Sequence, residues 1–530
     1  MIKTDITVKV DYNYETIKDS ICNSLPVEKD EIGEIIILKK QLKIDKEKSF
    51  SLCVGVEFSP EREAGLLKMK KKVSECPCYD MQIPIAKSDM RPVVVGAGPA
   101  GLFAALMLAE AGLCPIVLER GDCVEKRSAK VHSFFTQKIL DTESNIQFGE
   151  GGAGAFSDGK LKVGGIDKYK YKVLSEFVKA GAPEDIVYTV GAHLGTDKLP
   201  LYVRAIREKI ISLGGEFIYR ARVIDLKTEG DSVRGVKYEK DRKLESIESD
   251  RVILATGHSA RDTFEMLKRQ GIPMEAKGFG IGVRIEHPRE YINELILGEK
   301  NPPSEIGTAS YHLVSHLPNG RSVYSFCMCP GGTVVAASSE ECAIVTNGMS
   351  EEARMADNSN AAHLVSVTPA DFGSDDVLAG IDLQRRIERR AFLVAGENYG
   401  APAIELESFM KGSEAELSPS VKPSYPCGVS AVSCEEYLPN FITDSLRLAM
   451  ADYDAYLRGF YYPEALITGA ETRSTSPIRV LRGEDFSTPA LRGLYPIGEG
   501  AGYAGGIVSS GVDGVRCAES IIRELINTEI

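Results

Sequence analysis

Three glycines in GxGxxG spacing, Gly96, Gly98 and Gly101, follow the apolar run Val93–Val95 in "VVVGAGPAGLFAALMLAEAGLCPIVLERG". Between a strand and a helix, this spacing permits a tight turn, close approach of backbone to a pyrophosphate, and close helix-to-strand packing. The helix start offers unpaired N–H groups and the positive end of a dipole to phosphate. Glu119 ends the second strand, about 20 residues on, where a carboxylate accepts hydrogen bonds from adenosine ribose hydroxyls. Pro99, Ala100 and Arg120 are read with this set. A glycine turn without a ligand is the alternative, but strand, helix, second strand and terminal acid occur together here and point to a dinucleotide.

Other stretches combine glycine or sulfur with polar groups. In "GEGGAGAFSDGKL" (149–161), Gly149, Gly151 and Gly152 let backbone pass flat along a cofactor, and Ser157, Asp158 and Lys160 supply polar contacts to cofactor or substrate. A glycine-rich surface loop is the competing reading. In "GAETRSTSPIRV", Glu471 and Arg473 with Ser474 and Thr475 either line the cofactor edge or form a structural Arg–Glu pair. "YSFCMCPGG" places Cys327 and Cys329 one residue apart; they could be a redox pair, half of a metal site, a cavity wall or plain core. In a strand the two thiols share a face. A four-thiolate zinc site with Cys76 and Cys78 is disfavoured by the spacing, and the seven histidines show no ligand pattern. His312 and His316 read as strand and turn, and His258 follows "ATG" and approaches the cofactor or caps a turn. No metal is expected.

These residues must be positioned by a large chain. With 530 residues, 43% hydrophobic and 26% charged, it is long enough for several ordinary globular domains. The net charge of -13 disfavours a polyanion-binding role, so no nucleic acid partner is expected. No secretory start is read in "MIKTDITVKV", and twelve irregularly spaced Cys suit a reducing compartment, so a cytoplasmic protein is expected. "PVVVGAGPAGLFAALMLA" is uncharged, but its glycines and proline favour strand-turn-helix over a membrane span.

Residues 1 to about 60 read β-α-β-β, followed by a Lys-rich connector, "KMKKKVSECPCYDMQIPIAKSDMRP". The β-α-β-β module lacks the stacking aromatics of an RNA-binding sheet. A helix is expected over "LYVRAIREKIISLGG", then strands over "EFIYRARVIDLKT", "SVRGVKYE" and "ESDRVILATG". "FGIGVRIEHP" and "SVYSFCMCPGGTVVAASS" read as strands, and "GIDLQRRIERRAFLVAG" and "DSLRLAMADYDAYLRGF" as helices. "GFGIGVRIEHP" has three glycines but continues into a strand, so it is not a nucleotide loop.

"RVILATG" and "GLYPIGEGAGYAGGIVSSGVDG" resemble the ATG and GD-type motifs of flavoproteins of the glutathione reductase superfamily, with Glu499 where Asp is commoner. With "FGEGGAGAFSDGKL", "ATGHSARD", "FGIGVRIEHP", "FCMCPGG" and "ETRSTSPIRV", the chain resembles a bacterial family of uncharacterised FAD-dependent dehydrogenases, more distantly the geranylgeranyl reductases. The resemblance implies an α/β fold: a Rossmann-like FAD domain (90–275 and 465–530), an inserted β-rich substrate domain (276–464) and a small ferredoxin-like βαββ domain (1–85). It implies noncovalent FAD, contacted by the residues named above and by Val223, Ala255, Thr256, Gly257, Gly498, Gly505, Gly506 and Ile507, with Glu499 at the ribityl or pyrophosphate. The helix start after Gly505 would face the pyrimidine end of the flavin. "YSFCMCPGG" is similar to the Y-x-W-x-F-P cavity strand of geranylgeranyl reductases, with Tyr324, Phe326 and Pro330 in register.

The activity implied is hydride transfer through flavin N5 to or from a small molecule, with Cys327, Cys329 and Arg473 as candidate catalytic groups. NAD(P)H is a candidate transient reductant, although no second GxGxxG and no CxxxxC redox motif is found. A flavin-binding sensor or partner module without turnover is the alternative.

Overall fold

A computed structural model describes all residues except 45–46, 69–72, 162–164, 418–419 and 529–530. The charged run expected as a solvated helix face or linker falls largely on 69–72, outside the described residues.

The chain opens with a four-stranded sheet in the order Ile35–Ile44, Lys48–Val56, Ile2–Lys9, Ser74–Glu75. The β-α-β-β order is as expected, and a helix over Pro60–Leu67 and the short strand Ser74–Glu75 extend it. Asn13 caps the Tyr14–Ser24 helix by accepting from the Thr16 N–H, and the alternating burial of Ile2–Lys9 turns its apolar residues toward that helix.

The part of the fold that positions the site is a five-stranded parallel sheet. Its order is Leu494–Pro496, Val252–Leu254, Val93–Val95, Ile116–Glu119, Glu216–Tyr219. Val93–Val95, Val252–Leu254 and Leu494–Pro496 are buried throughout, as parallel strands covered on both faces must be. The Pro99–Glu110 helix, ten of whose residues are buried, packs against the C-terminal helix Ile507–Thr528. "EFIYRARVIDLKT", expected as one strand, is two. Arg220 takes a left-handed φ of 56°, ending Glu216–Tyr219 in the parallel sheet, and Arg222–Glu229 starts a separate three-stranded antiparallel sheet.

The largest sheet has seven strands in the order Val314–His316, Ser322–Cys329, Asn358–Val367, Phe279–Pro288, Leu466–Glu471, Ala401–Glu405, Val429–Ala431. "GFGIGVRIEHP" is its central strand, buried over nine of ten residues, so its glycines serve close strand packing and not a nucleotide loop. Gly282 shows why: a Cβ there would lie 1.9 Å from the His363 carbonyl oxygen. Helices Ala379–Val394 and Asn440–Tyr456 contribute to the core on this sheet.

His287 and His363 are wholly buried in that core among Tyr311, Tyr453 and Phe460. Burial pushes His287 down to about 4; burial, then His287 and Arg284, push His363 down to about 3. Between pH 6.5 and 5 the unfolded chain therefore gains protons that the folded chain refuses. Stability should fall with falling pH, with a slope that rises from about 0.7 kcal/mol per pH unit for each histidine at pH 6.5 toward about 1.4 at pH 5. Urea unfolding of His363→Leu should show about half the wild-type change attributable to this pair across that window.

Candidate functional site

The three expected nucleotide elements meet in one cavity. It encloses about 1790 Å3 of space between atoms, including solvent at its mouth. Around it stand Gly96, Gly98, Pro99 and Ala100 from the first turn, Glu119 and Arg120, and Gly149 and Gly152 with Ser157, Asp158 and Lys160. Val223, Ala255, Thr256, Gly257, Gly498, Glu499, Gly505, Gly506, Ile507, Cys327 and Arg473 complete the expected set. Gly101, Gly151 and Cys329 are not in the wall. Gly101 lies against the Gly96 carbonyl, Gly151 against Ala155 and Val203, and Cys329 is fully buried.

The first glycine turn follows from local chemistry. Gly98 caps the Pro99–Glu110 helix with no side-chain hydrogen bond, which leaves first-turn N–H groups for an anion. Glu119 is nearly buried. One of its oxygens accepts from Ala97 N at 2.8 Å, the other from Gly121 N at 2.8 Å and Gly149 N at 3.0 Å. The acid expected to meet a ribose thus also ties the glycine turn to the 149–152 segment. Glu119→Gln replaces one acceptor by a donor that faces backbone N–H groups. It should lower stability by about 1–3 kcal/mol and reduce the FAD retained on purification, read from urea unfolding and the flavin-to-protein absorbance ratio.

The polar groups of the second glycine segment are engaged within the chain. The Ser157 hydroxyl donates to the Gly154 carbonyl at 2.8 Å and accepts from Gly159 N, while Asp158 accepts two hydrogen bonds from Arg354 at 3.0 and 2.5 Å. Lys160 donates to the Met328 carbonyl and to Ser310. Arg120 forks between Glu143 and Asp262 over the Phe148 ring.

Beside the cavity lie two buried ion-pair networks that the sequence reading missed in part. Glu471 and Arg473 both line the cavity, but they do not pair with one another. Arg284, fully buried in the central strand, forks onto Glu471 at 3.0 Å through Nε and Nη2 and onto Asn360 and Asn347. Arg473 forks onto Glu388, which also receives both terminal nitrogens of Arg261 and the Thr472 hydroxyl. Charged residues inside a run that begins with the apolar "FGIGV" were the available signal for Arg284, whereas nothing local marked Glu388. His258 lines the cavity and is pushed down to about 4 by burial and by Arg473 and Arg261. Glu499 is pushed up to about 7 by burial, with Lys277 opposing.

The sulfur strand departs from the alternation expected of it. Phe326 pairs opposite Ala362 but Cys329 opposite Asn360, so the Ser322–Cys329 strand carries one extra residue there. At this bulge Cys327 takes a φ of 42°. Phe326 and Cys327 line the cavity, whereas Tyr324, Met328, Cys329 and Pro330 do not, which corrects the register expected from the geranylgeranyl reductase likeness. The Cys327 thiol is held below its ordinary value, most of all by the neighbouring Cys329; burial opposes, and Arg284 and Lys160 add to the lowering.

Among the described residues no group of His, Cys, Asp and Glu could hold a metal ion, and no helix is long and apolar enough to cross a membrane. Residues 165–369 match the family described as FAD dependent oxidoreductase, and residues 278–474 match FAD-dependent protein, C-terminal domain-like. An uncharacterized protein of Clostridium beijerinckii is 41% identical over 533 residues, covering 98% of each chain. Two solved structures are looser likenesses that carry no argument about the site. One is a flavoprotein/dehydrogenase from Cytophaga hutchinsonii (11% identity, TM-score 0.37, 83% of this chain and 79% of that one). The other is a geranylgeranyl bacteriochlorophyll reductase-like protein from Thermoplasma acidophilum (12%, TM-score 0.35, 83% and 79%). The identity across nearly the whole of both chains, with the two matches that span its middle, makes this chain a member of the FAD-dependent oxidoreductase family that carries this C-terminal domain.

Proposed function

We propose that the cavity holds FAD noncovalently and that the protein transfers hydride through flavin N5 to or from a small, partly apolar molecule. The observation that carries this reading is the convergence of Gly96, Gly98, Glu119, Ala255–Gly257, Gly498 and Gly505–Ile507, far apart in sequence, around one cavity. The residues fit the cofactor. Uncapped N–H groups behind Gly98 suit a pyrophosphate, and the second oxygen of Glu119, with one backbone donor, keeps a lone pair for a ribose hydroxyl. Bound there, the flavin supplies the hydride chemistry.

The chain's own part is to bind and orient. Gly505 and Gly506 leave the approach to the C-terminal helix open, since a Cβ at either would meet nothing within 4 Å. The N-terminus of that helix would favour negative charge on the pyrimidine end. Phe326, Ile507 and Val508 are among the apolar residues of the cavity lining, and the Arg284–Glu471 and Arg473–Glu388 pairs fix the lining groups Glu471 and Arg473 while hiding their charges. Glu499, protonated for part of the time near neutrality, is the group best placed to hold or move a proton beside the cavity. In this reading residues 90–275 with 465–530 bind FAD, 276–464 cover the substrate, and 1–85 form a separate module. The matches give no support to NAD(P)H as the donor.

The purified protein should be yellow and release about one FAD per chain on denaturation, unmodified and without a covalent link. Colourless protein that takes up no FAD would overturn the reading. Anaerobic stopped-flow mixing with NADH and NADPH then decides the donor by the rate of flavin bleaching.

A further inference from the structure

Cys327 and Cys329 are set apart from the other ten cysteines by where the bulge puts them. Regular alternation would give the two side chains equal standing on one face. The extra residue, taken up at the left-handed Cys327, instead turns one thiol into the cavity wall and leaves the other wholly buried. Non-glycine residues rarely hold that backbone conformation unless the surroundings impose it.

The surroundings do impose it. Arg284 Nη1 donates to the Cys327 carbonyl at 3.1 Å, the Cys329 thiol donates to the same carbonyl at 3.2 Å, and Lys160 donates to the next carbonyl, that of Met328. The two cations that shape the bulge also lie beside its sulfurs: Arg284 Nη1 is 3.9 Å from Cys329 Sγ. A thiolate at Cys327 is thus favoured by charge and by its neighbour thiol together.

We propose that Cys327 and Cys329 form a reversible disulfide that exchanges its electron pair with the flavin, so that the holoenzyme stores four electrons and not two. This rests on FAD occupying the cavity as proposed above. In the oxidising direction the Cys327 thiolate and the Cys329 thiol give up two electrons and one proton. The sulfur–sulfur bond forms, the S–H bond of Cys329 breaks, and oxidised FAD takes the pair and the proton as the reduced anion; the reverse step restores the dithiol. Because Cys329 is fully buried and Cys327 lies in the cavity wall, the pair serves the flavin or a small molecule in the cavity and not a protein disulfide.

The test is an anaerobic dithionite titration of the full-length, ferricyanide-oxidised holoenzyme, with alkylation under denaturing conditions and peptide mass mapping of residues 322–333 before and after. Wild type should need about two equivalents of dithionite per FAD, and Cys327→Ser and Cys329→Ser about one. The wild-type peptide should resist alkylation when oxidised and take two alkyl groups when reduced. One equivalent for wild type, with both cysteines alkylated in the oxidised FAD-loaded protein, overturns the proposal and leaves the cofactor reading standing. Protein that binds no FAD overturns both. Should Cys329→Ser not fold, the wild-type peptide masses and Cys327→Ser decide.

Discussion

Glu388→Ala should destabilise the protein by about 3–5 kcal/mol, the range in which removal of one partner from a buried ion pair falls. Glu388 is wholly buried on the Ala379–Val394 helix and bridges two guanidinium groups. Its oxygens accept from Arg261 at 2.8 and 2.9 Å and from Arg473 at 2.8 and 3.0 Å, with Thr472 donating at 2.7 Å. Burial alone would raise its pKa, but Arg261 and Arg473 hold the carboxyl far below the ordinary value. Removing it leaves Arg261 with Glu340 and Gln384, and Arg473 with Ser339. Since Arg473 lines the cavity, lost FAD should accompany lost stability. Glu388→Gln, which keeps one accepting oxygen but loses the charge and turns an amide donor toward the guanidinium N–H groups, should recover little of that cost. Urea unfolding and FAD content measure both variants, and a cost below about 1 kcal/mol for Ala would show that the guanidiniums repartner.

Gly101→Ala should be nearly as damaging. The added Cβ would stand 1.9 Å from the Gly96 carbonyl oxygen and 3.0 Å from its carbon, both backbone atoms of the glycine turn. No side chain can rotate out of the way, so the Pro99–Glu110 helix must lift from the turn. We expect a cost of about 3 kcal/mol, at the upper end for overpacking, and failure to retain FAD. Gly65→Ala is the control. It makes the same change in a helix where a Cβ meets nothing within 4 Å, and it should stabilise by about 0.5–1 kcal/mol. If both variants kept FAD equally, the contact at Gly101 would not govern the turn.

Both predictions bear on how far the site could be read without coordinates. The glycine turn was legible because its chemistry is local: strand, turn, helix and second strand follow one another within some thirty residues, and each glycine answers to a near neighbour. Glu119 was legible as an acid at a strand end, but its three backbone donors come from three separate segments, and only folding shows that it joins them. The rejection of "GFGIGVRIEHP" as a nucleotide loop rested on period and length, and it is a buried strand. The split of "EFIYRARVIDLKT" was hidden because Arg220 carries no signal for a left-handed turn.

The sequence alone therefore determined the strand-turn-helix elements, their order and the α/β class, since periodicity, glycine spacing and strand-end acids depend on residues close along the chain. The tertiary structure decided what stands opposite them. Arg473 meets Glu388 and Arg284 meets Glu471 across long separations. One extra residue against Asn358–Val367, not the CxC spacing, turns Cys327 into the wall and buries Cys329. A bulge exists only relative to its partner strand, and a buried charge is tolerated only beside its counter-charge, so neither is a property of the segment that carries it.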